Sequence, residues 1–265
     1  MYKLPETALA AADTVDLKAL QDGVNTPVSY ADRVKQAADS FDAKPWALFR
    51  RVRATLAEMS GDLVRCSYCE DSCADEVEHI KPKSFYPEVV YDWDNYLFAC
   101  GPCNGRKLNQ YPLLVAGVCT SLQDERKANG IVAPPVGDAY FINPRSEEPL
   151  DYIWLDVLGG TFMLSPLSDD DNFGQARADK TITILRLNRE AVRKARENAY
   201  GGYRDRLAQL AARIAAGAPA DEVQSRKADI ARSPHRTVWL EMKRQAALLP
   251  ELAVLFAAVP EAMTL

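Results

Sequence analysis

Cys66-Ser-Tyr-Cys69 and Cys100-Gly-Pro-Cys103 are two C-x2-C knuckles, and the second runs straight into Asn104-Gly-Arg-Lys107. Two residues between paired cysteines let both sulfurs face one ion, and zinc takes four thiolates in a tetrahedron. Cys66, Cys69, Cys100 and Cys103 therefore predict a structural zinc site, although the thirty residues between the knuckles exceed a zinc-ribbon spacing. The same region admits a second ligand set of Cys66, Cys69, Cys73 and His79, which leaves Cys100 and Cys103 without a partner. Buried thiols, or a redox pair at Cys100 and Cys103, are further alternatives. Cys119 stands apart and reads as a small packing residue.

The rest of the chain bounds the fold around this centre. It has 265 residues, 48% hydrophobic and 26% charged, with a net charge of -5. That is the composition of a folded globular protein and excludes a basic nucleic-acid coat. The longest apolar run, Leu252 to Val259, is far short of the roughly 20 residues that span a bilayer. The first sixteen residues carry Glu6, Asp13 and Asp16 and do not read as a secretory signal, so a reducing, cytoplasmic setting is expected.

Three regions follow. Residues 1–60 read as helical: Ser29 and Asp32 form a capping-box-like start, and Tyr30, Val34, Ala38 and Phe41 keep helical spacing. Pro45 opens a second helix with a stripe of Trp46, Phe49, Leu56 and Met59, ended by Ser60-Gly61. Residues 61–120 hold the cysteines. Residues 121–265 begin with a loop over 121–137, continue with strands near 139–142, 152–158 and 161–164, and pass the acidic loop Asp169-Asp170-Asp171. They then turn helical from about 176 to 258, with breaks at Gly201-Gly202, Gly217 to Pro219 and Ser233-Pro234. His235 follows Ser233-Pro234 and reads as a surface residue. The fold class expected is α+β, mainly helical, with a small β segment.

Between the knuckles lie Glu76-Val-Glu-His-Ile-Lys-Pro-Lys-Ser84 and Asp92-Trp-Asp-Asn-Tyr-Leu-Phe-Ala-Cys100. An acidic residue beside histidine, an Asn-containing segment leading into C-x-x-C, and Cys-Asn-x-x-Lys after it resemble the HNH endonucleases, over residues 66 to 107. The resemblance implies a ββα-metal core beside a four-cysteine zinc site. It also implies that Asn95 supports the loop carrying the histidine. Otherwise Asn95 is a turn residue. The family often has Asp where this chain has Glu78, and His where it has Asn104. Over a longer stretch, including Ile142-Asn-Pro and Thr181 to Asn188, the chain is similar to the HNH nuclease subunits of Septu and retron-linked anti-phage systems. That likeness implies an ATPase partner with an ABC-like fold.

The chemistry of these residues agrees. A neutral imidazole takes a proton from water near pH 7, which makes His79 the candidate base. Glu78 and Asn104 offer hard oxygens suited to Mg2+ or Mn2+. Adjacent strand residues point to opposite faces, so Glu78 and His79 serve one site only where the strand ends or bends; Pro82 marks such an end. Alternatively His79 is a core residue and Asn104 a helix N-cap. With a helix starting at Asn104, Arg106 and Lys107 fall in its first turn and are expected, with Lys81 and Lys83, at phosphates.

Residues 61–112 hold five basic against nine acidic residues, so nucleic acid, DNA foremost, must be attracted from elsewhere. From Gly174 to Arg213 the net charge is +6, with Arg186, Arg189, Arg193 and Arg196 at helical spacing; these form a phosphate-tracking face or a solvated, salt-bridged one. A different class of function, a non-catalytic zinc-stabilised adaptor, suits the helical majority of the chain.

Overall fold

A computed structural model describes residues 1–60, 64–71, 73–167 and 171–265. Gly61, and Asp169 and Asp170 of the acidic loop, lie outside the described residues. Three helices come first: α1 (Ala11–Asn25), α2 (Tyr30–Asp42) and α3 (Trp46–Met59). The Ser29 hydroxyl accepts from the Asp32 N–H at 3.0 Å, so the expected cap forms. In α3, Phe49, Leu56 and Met59 are buried, but Trp46 is 73% exposed, because the first turn projects past the core and stacks Arg50 on its indole instead. In α2 it is Ala37, rather than Ala38, that turns inward with Phe41.

The knuckle region folds as β1 (Glu76–His79), β2 (Tyr96–Ala99) and α4 (Gly101–Lys107). β1 and β2 pair antiparallel with Glu76 opposite Ala99 and His79 opposite Tyr96. The hairpin lies between α3, which packs on β2, and α4, which packs on β1. Helix α4 starts at Gly101 with Pro102 in its first turn and Cys100 as N-cap. Asn104 is thus inside the helix, and Arg106 and Lys107 occupy its last turn. The anion-attracting helix start is therefore not where those two cations sit.

Short elements follow: β3 (Leu113–Val115), β4 (Val118–Thr120), α5 (Leu122–Asn129) and β5 (Asp138–Ala139), then the β6 (Ile153–Leu155) and β7 (Leu164–Pro166) ribbon. Helix α5 replaces part of the loop expected over 121–137; Ser121 caps it through the Asp124 N–H, and Gly130 closes it at φ 76°. The turn between β6 and β7 is held by Asp156, which accepts from the Gly159 N–H at 2.6 Å. Cys119 is exposed on β4 rather than buried as a packing residue.

Three longer helices and two shorter ones follow: α6 (Asn172–Leu185), α7 (Glu190–Ala215), α8 (Ala220–Ala231), α9 (Arg236–Arg244) and α10 (Pro250–Ala258). Helix α7 runs unbroken through Gly201-Gly202. Tyr203, Leu207 and Leu210 bury on that stretch, which offsets the roughly 1 kcal/mol that each helical glycine costs relative to alanine. His235 is buried, in the left-handed conformation at φ 59°, where it turns the chain into α9. A contiguous hydrophobic core takes residues from all three sequence regions.

Candidate functional site

The hairpin brings the knuckles together. Ser67 N–H donates to Phe98 O at 2.9 Å, docking the first knuckle on β2, while β2 feeds directly into Cys100. The Cys66, Cys69, Cys100 and Cys103 sulfurs are all buried and lie within 4.8 Å of one another. The Cys69 and Cys100 sulfurs are 3.8 Å apart. A tetrahedron with Zn–S of about 2.3 Å has edges of about 3.8 Å, so this donor set fits zinc. Burial pushes the Cys66 thiol well above its ordinary range, and a cation at the centre is what makes four thiolates tolerable there. Cys73 is exposed and His79 is bonded elsewhere, so the alternative ligand set does not form.

One more group faces the thiolates. Arg189, at the start of α7, places Nη1 3.6 Å from Cys103 Sγ and also reaches the Leu185 and Arg186 carbonyls. Burial disfavours its charge, but the Cys103 and Cys69 thiolates outweigh that and raise its pKa. Arg196 is 2% exposed. The Arg186-to-Arg196 series is therefore no phosphate-tracking face: Arg186 and Arg193 are exposed, while Arg189 and Arg196 turn inward.

Alternation along β1 sends its side chains to two faces. Glu76 and Glu78 face α4. Asn104 donates its amide to Glu76 Oε2. Lys107 Nζ lies 2.5 Å from Glu78 Oε1 and donates to His79 O at 2.7 Å. Burial raises the Glu78 pKa against the opposing pull of Lys107. Lys107 is 0% exposed, so it is an internal counter-ion to Glu78 rather than the phosphate contact expected of it.

His79 faces the other way. It is 8% exposed and sits under Phe41, with ring centroids 4.6 Å apart, and beside Tyr96 at 5.2 Å. Its Nε2 is 3.0 Å from Val90 O, which can only accept, so that nitrogen carries the proton and Nδ1 holds the lone pair. Burial lowers its pKa to about 3, helped by Lys83, Lys107 and Lys44, and the ring is neutral at pH 7. Phe41 is itself flanked by Lys44 and Lys83, whose Nζ atoms lie 4.3 and 4.4 Å from its ring.

Asn95 clamps the segment after His79. Its Oδ1 accepts from the Lys81 N–H at 2.7 Å, and its Nδ2 donates to Lys81 O and Val89 O at 3.1 and 3.0 Å. Its backbone carbonyl takes the Ile80 N–H at 2.9 Å. One buried amide thus ties the strand end to the turn whose Val90 carbonyl orients His79.

A short β hairpin, a following helix and a four-sulfur cluster surround an adjacent Glu-His pair pinned by an asparagine, and the sequence profile of the family described as HNH endonuclease matches residues 66–110. Residues 66–110 carry an HNH endonuclease core. The chain is also 35% identical over 89 residues to the Septu protein PtuB of Bacillus thuringiensis. That match covers 32% of this chain and 32% of PtuB, so the chain spans about a third of the length of the curated relative it matches. Among the described residues, no helix is long and apolar enough to cross a membrane.

Around the HNH core, Glu78 and Asn104 share the α4 face while His79 faces α2, under Phe41. Lys81 and Arg106 are exposed; Lys83 is part-buried, with Nζ 3.6 Å from Asp42 Oδ1. Glu76 adds a carboxylate to this face: it lies two residues before Glu78, which strand alternation puts on the same side. Phe41 and Arg189 carry no local signal, because they reach the HNH core only through the tertiary fold.

Proposed function

We propose that the chain is a metal-dependent endonuclease that hydrolyses phosphodiester bonds of nucleic acid, DNA foremost, in anti-phage defence. The observation that carries this reading is the HNH core itself, with a neutral histidine whose Nε2–H is anchored and whose Nδ1 keeps its lone pair. His79 is the base that deprotonates water. Asn95 is its positioning residue. Glu78 and Asn104, with Glu76 beside them, are oxygen donors that suit Mg2+ or Mn2+, and such an ion supplies positive charge to the phosphate and leaving oxygens. Lys107 pairs with Glu78 and opposes the rise in its pKa that burial causes. Lys81, Lys83 and Arg106 lie on segments flanking this site and suit phosphate contacts. The four cysteines hold a structural zinc. The likeness to PtuB supports a partner protein, which we take to be an ABC-like ATPase, and we place the pair in the cytoplasm.

The test incubates the protein with plasmid DNA and with RNA, in Mg2+, Mn2+ or EDTA, with and without a neighbour-encoded partner. Cleavage is expected with a divalent ion, and His79→Ala is expected to abolish it at unchanged zinc content. The sealed His79 ring favours one other reading, a zinc-stabilised adaptor. Absence of cleavage under every condition, partner included, would establish that reading instead.

A further inference from the structure

The HNH core is acidic, which leaves open what holds a polyanion against it. Two cavities of about 490 and about 300 Å3 lie beside the first zinc knuckle, and both are lined by Arg65, Ser233, Pro234 and His235. The four shared residues set the two cavities side by side, and the pair is the groove considered for phosphates. Arg236 and Lys3 line the larger part and Arg206 the smaller, with Arg232 at the rim of the larger.

The charges in this groove are unequally matched. Arg65 donates to the Asp71 carbonyl, and Arg206 to the Gly202 carbonyl at 3.1 Å. Arg236 makes no side-chain hydrogen bond or ion pair among the described residues. None of the three has a carboxylate within ion-pair distance among those residues. Of the acids along the groove, Glu70 is buried and accepts from the Thr237 N–H at 2.9 Å, and Asp71 lies 3.8 Å from His235 Nε2. Among the described acids that line it, Glu58 alone is exposed. A chain of net charge -5 thus gathers three guanidinium groups, Arg65, Arg206 and Arg236, with no carboxylate at ion-pair distance among the described residues, in one concavity, where low-dielectric walls focus their field.

We propose that this groove binds the sugar-phosphate backbone of the nucleic acid, with Arg65, Arg206 and Arg236 as its phosphate contacts. This rests on the nuclease reading above. Guanidinium groups pair with phosphate oxygens in a planar fork and stay charged at any working pH. Arg65 directly precedes Cys66, so the zinc knuckle fixes one wall of the groove relative to the HNH core. A side-by-side pair of cavities suits a run of phosphates better than one small anion.

The experiment measures binding of labelled single-stranded and duplex DNA by fluorescence anisotropy in EDTA, over a salt series. The triple variant R65Q/R206Q/R236Q is expected to bind at least tenfold more weakly. Its slope of log K against log salt should fall by about 2 to 3, since each lost phosphate contact removes a little under one unit. The lysine triple, R65K/R206K/R236K, should keep most of the slope; if the glutamine triple loses its zinc or its helical signal, this variant and the single R236Q carry the test. Unchanged affinity and slope would overturn the proposal. So would full displacement of the labelled DNA by millimolar inorganic phosphate, which marks a small-anion pocket, or retention of DNA binding with loss of an acidic protein partner alone. The two readings fail separately. DNA held in the groove but never cut sinks the nuclease; DNA cut normally by the triple variant sinks the groove.

Discussion

Phe41→Ala should unlock His79. Phe41 closes the histidine from solvent, touches Phe49 edge-on at 5.3 Å, and sits at the last turn of α2. Removing a core phenylalanine costs about 3–5 kcal/mol, and the helix-end position, where water can enter the space left, places this one near the lower figure. Domains have roughly 5–15 kcal/mol to lose, so the variant should fold. Water reaching the imidazole removes the main cause of its low pKa of about 3 and moves it toward the ordinary 6.5. Lys44 and Lys83 stay close and hold the final value somewhat below that. The assay is a proton NMR titration of the two histidines, paired with carbethoxylation mapped by mass spectrometry. Wild-type His79 should resist the reagent and show no inflection above pH 5; in the variant it should react and titrate above pH 5. A wild-type His79 that titrates near 6.5, or reacts at the rate of free imidazole, would refute the reasoning, whatever the cleavage assays say.

Other perturbations follow from the same contacts. Lys107→Met leaves the Glu78 carboxylate buried without its counter-ion and should cost about 3–5 kcal/mol in urea unfolding, largely restored by adding Glu78→Gln. Arg189→Gln should speed zinc loss to a chelator and shift the thiolate-to-metal band of the Co2+ form, with Arg189→Lys intermediate; no change in either would free Arg189 from the cluster. His79 binds its proton more readily unfolded than folded, so stability should hold above about pH 6.5 and drop toward pH 3 by up to about 1.4 kcal/mol per unit. His79→Leu should flatten that limb of the stability curve.

Much of the HNH core was legible because its determinants are local. Cysteine spacing, the Glu78-His79 pair and Asn95 each sit within a few residues of the element they shape. Boundaries failed where two local signals competed. Asn104 is a good N-cap, yet Pro102 suits a first turn better, and α4 starts accordingly. The Asn129-Gly130 turn hid the Ser121 cap of α5. His235 and Gly201-Gly202 were misread because burial against distant partners overrides a residue's local preference. Direction was the least legible property. Nothing near Lys107 or Arg189 in sequence says that one charge serves Glu78 and the other the thiolates.

Glu70, one residue beyond the first knuckle, closes its carboxylate on Thr237, 167 positions away. Arg189 spans 86 positions to reach Cys103. These two clasps fasten the last third of the chain onto the zinc centre, so losing the ion would loosen the C-terminal helices as well as the knuckles. A nick in the exposed stretch 131–133 would leave two fragments still buckled together.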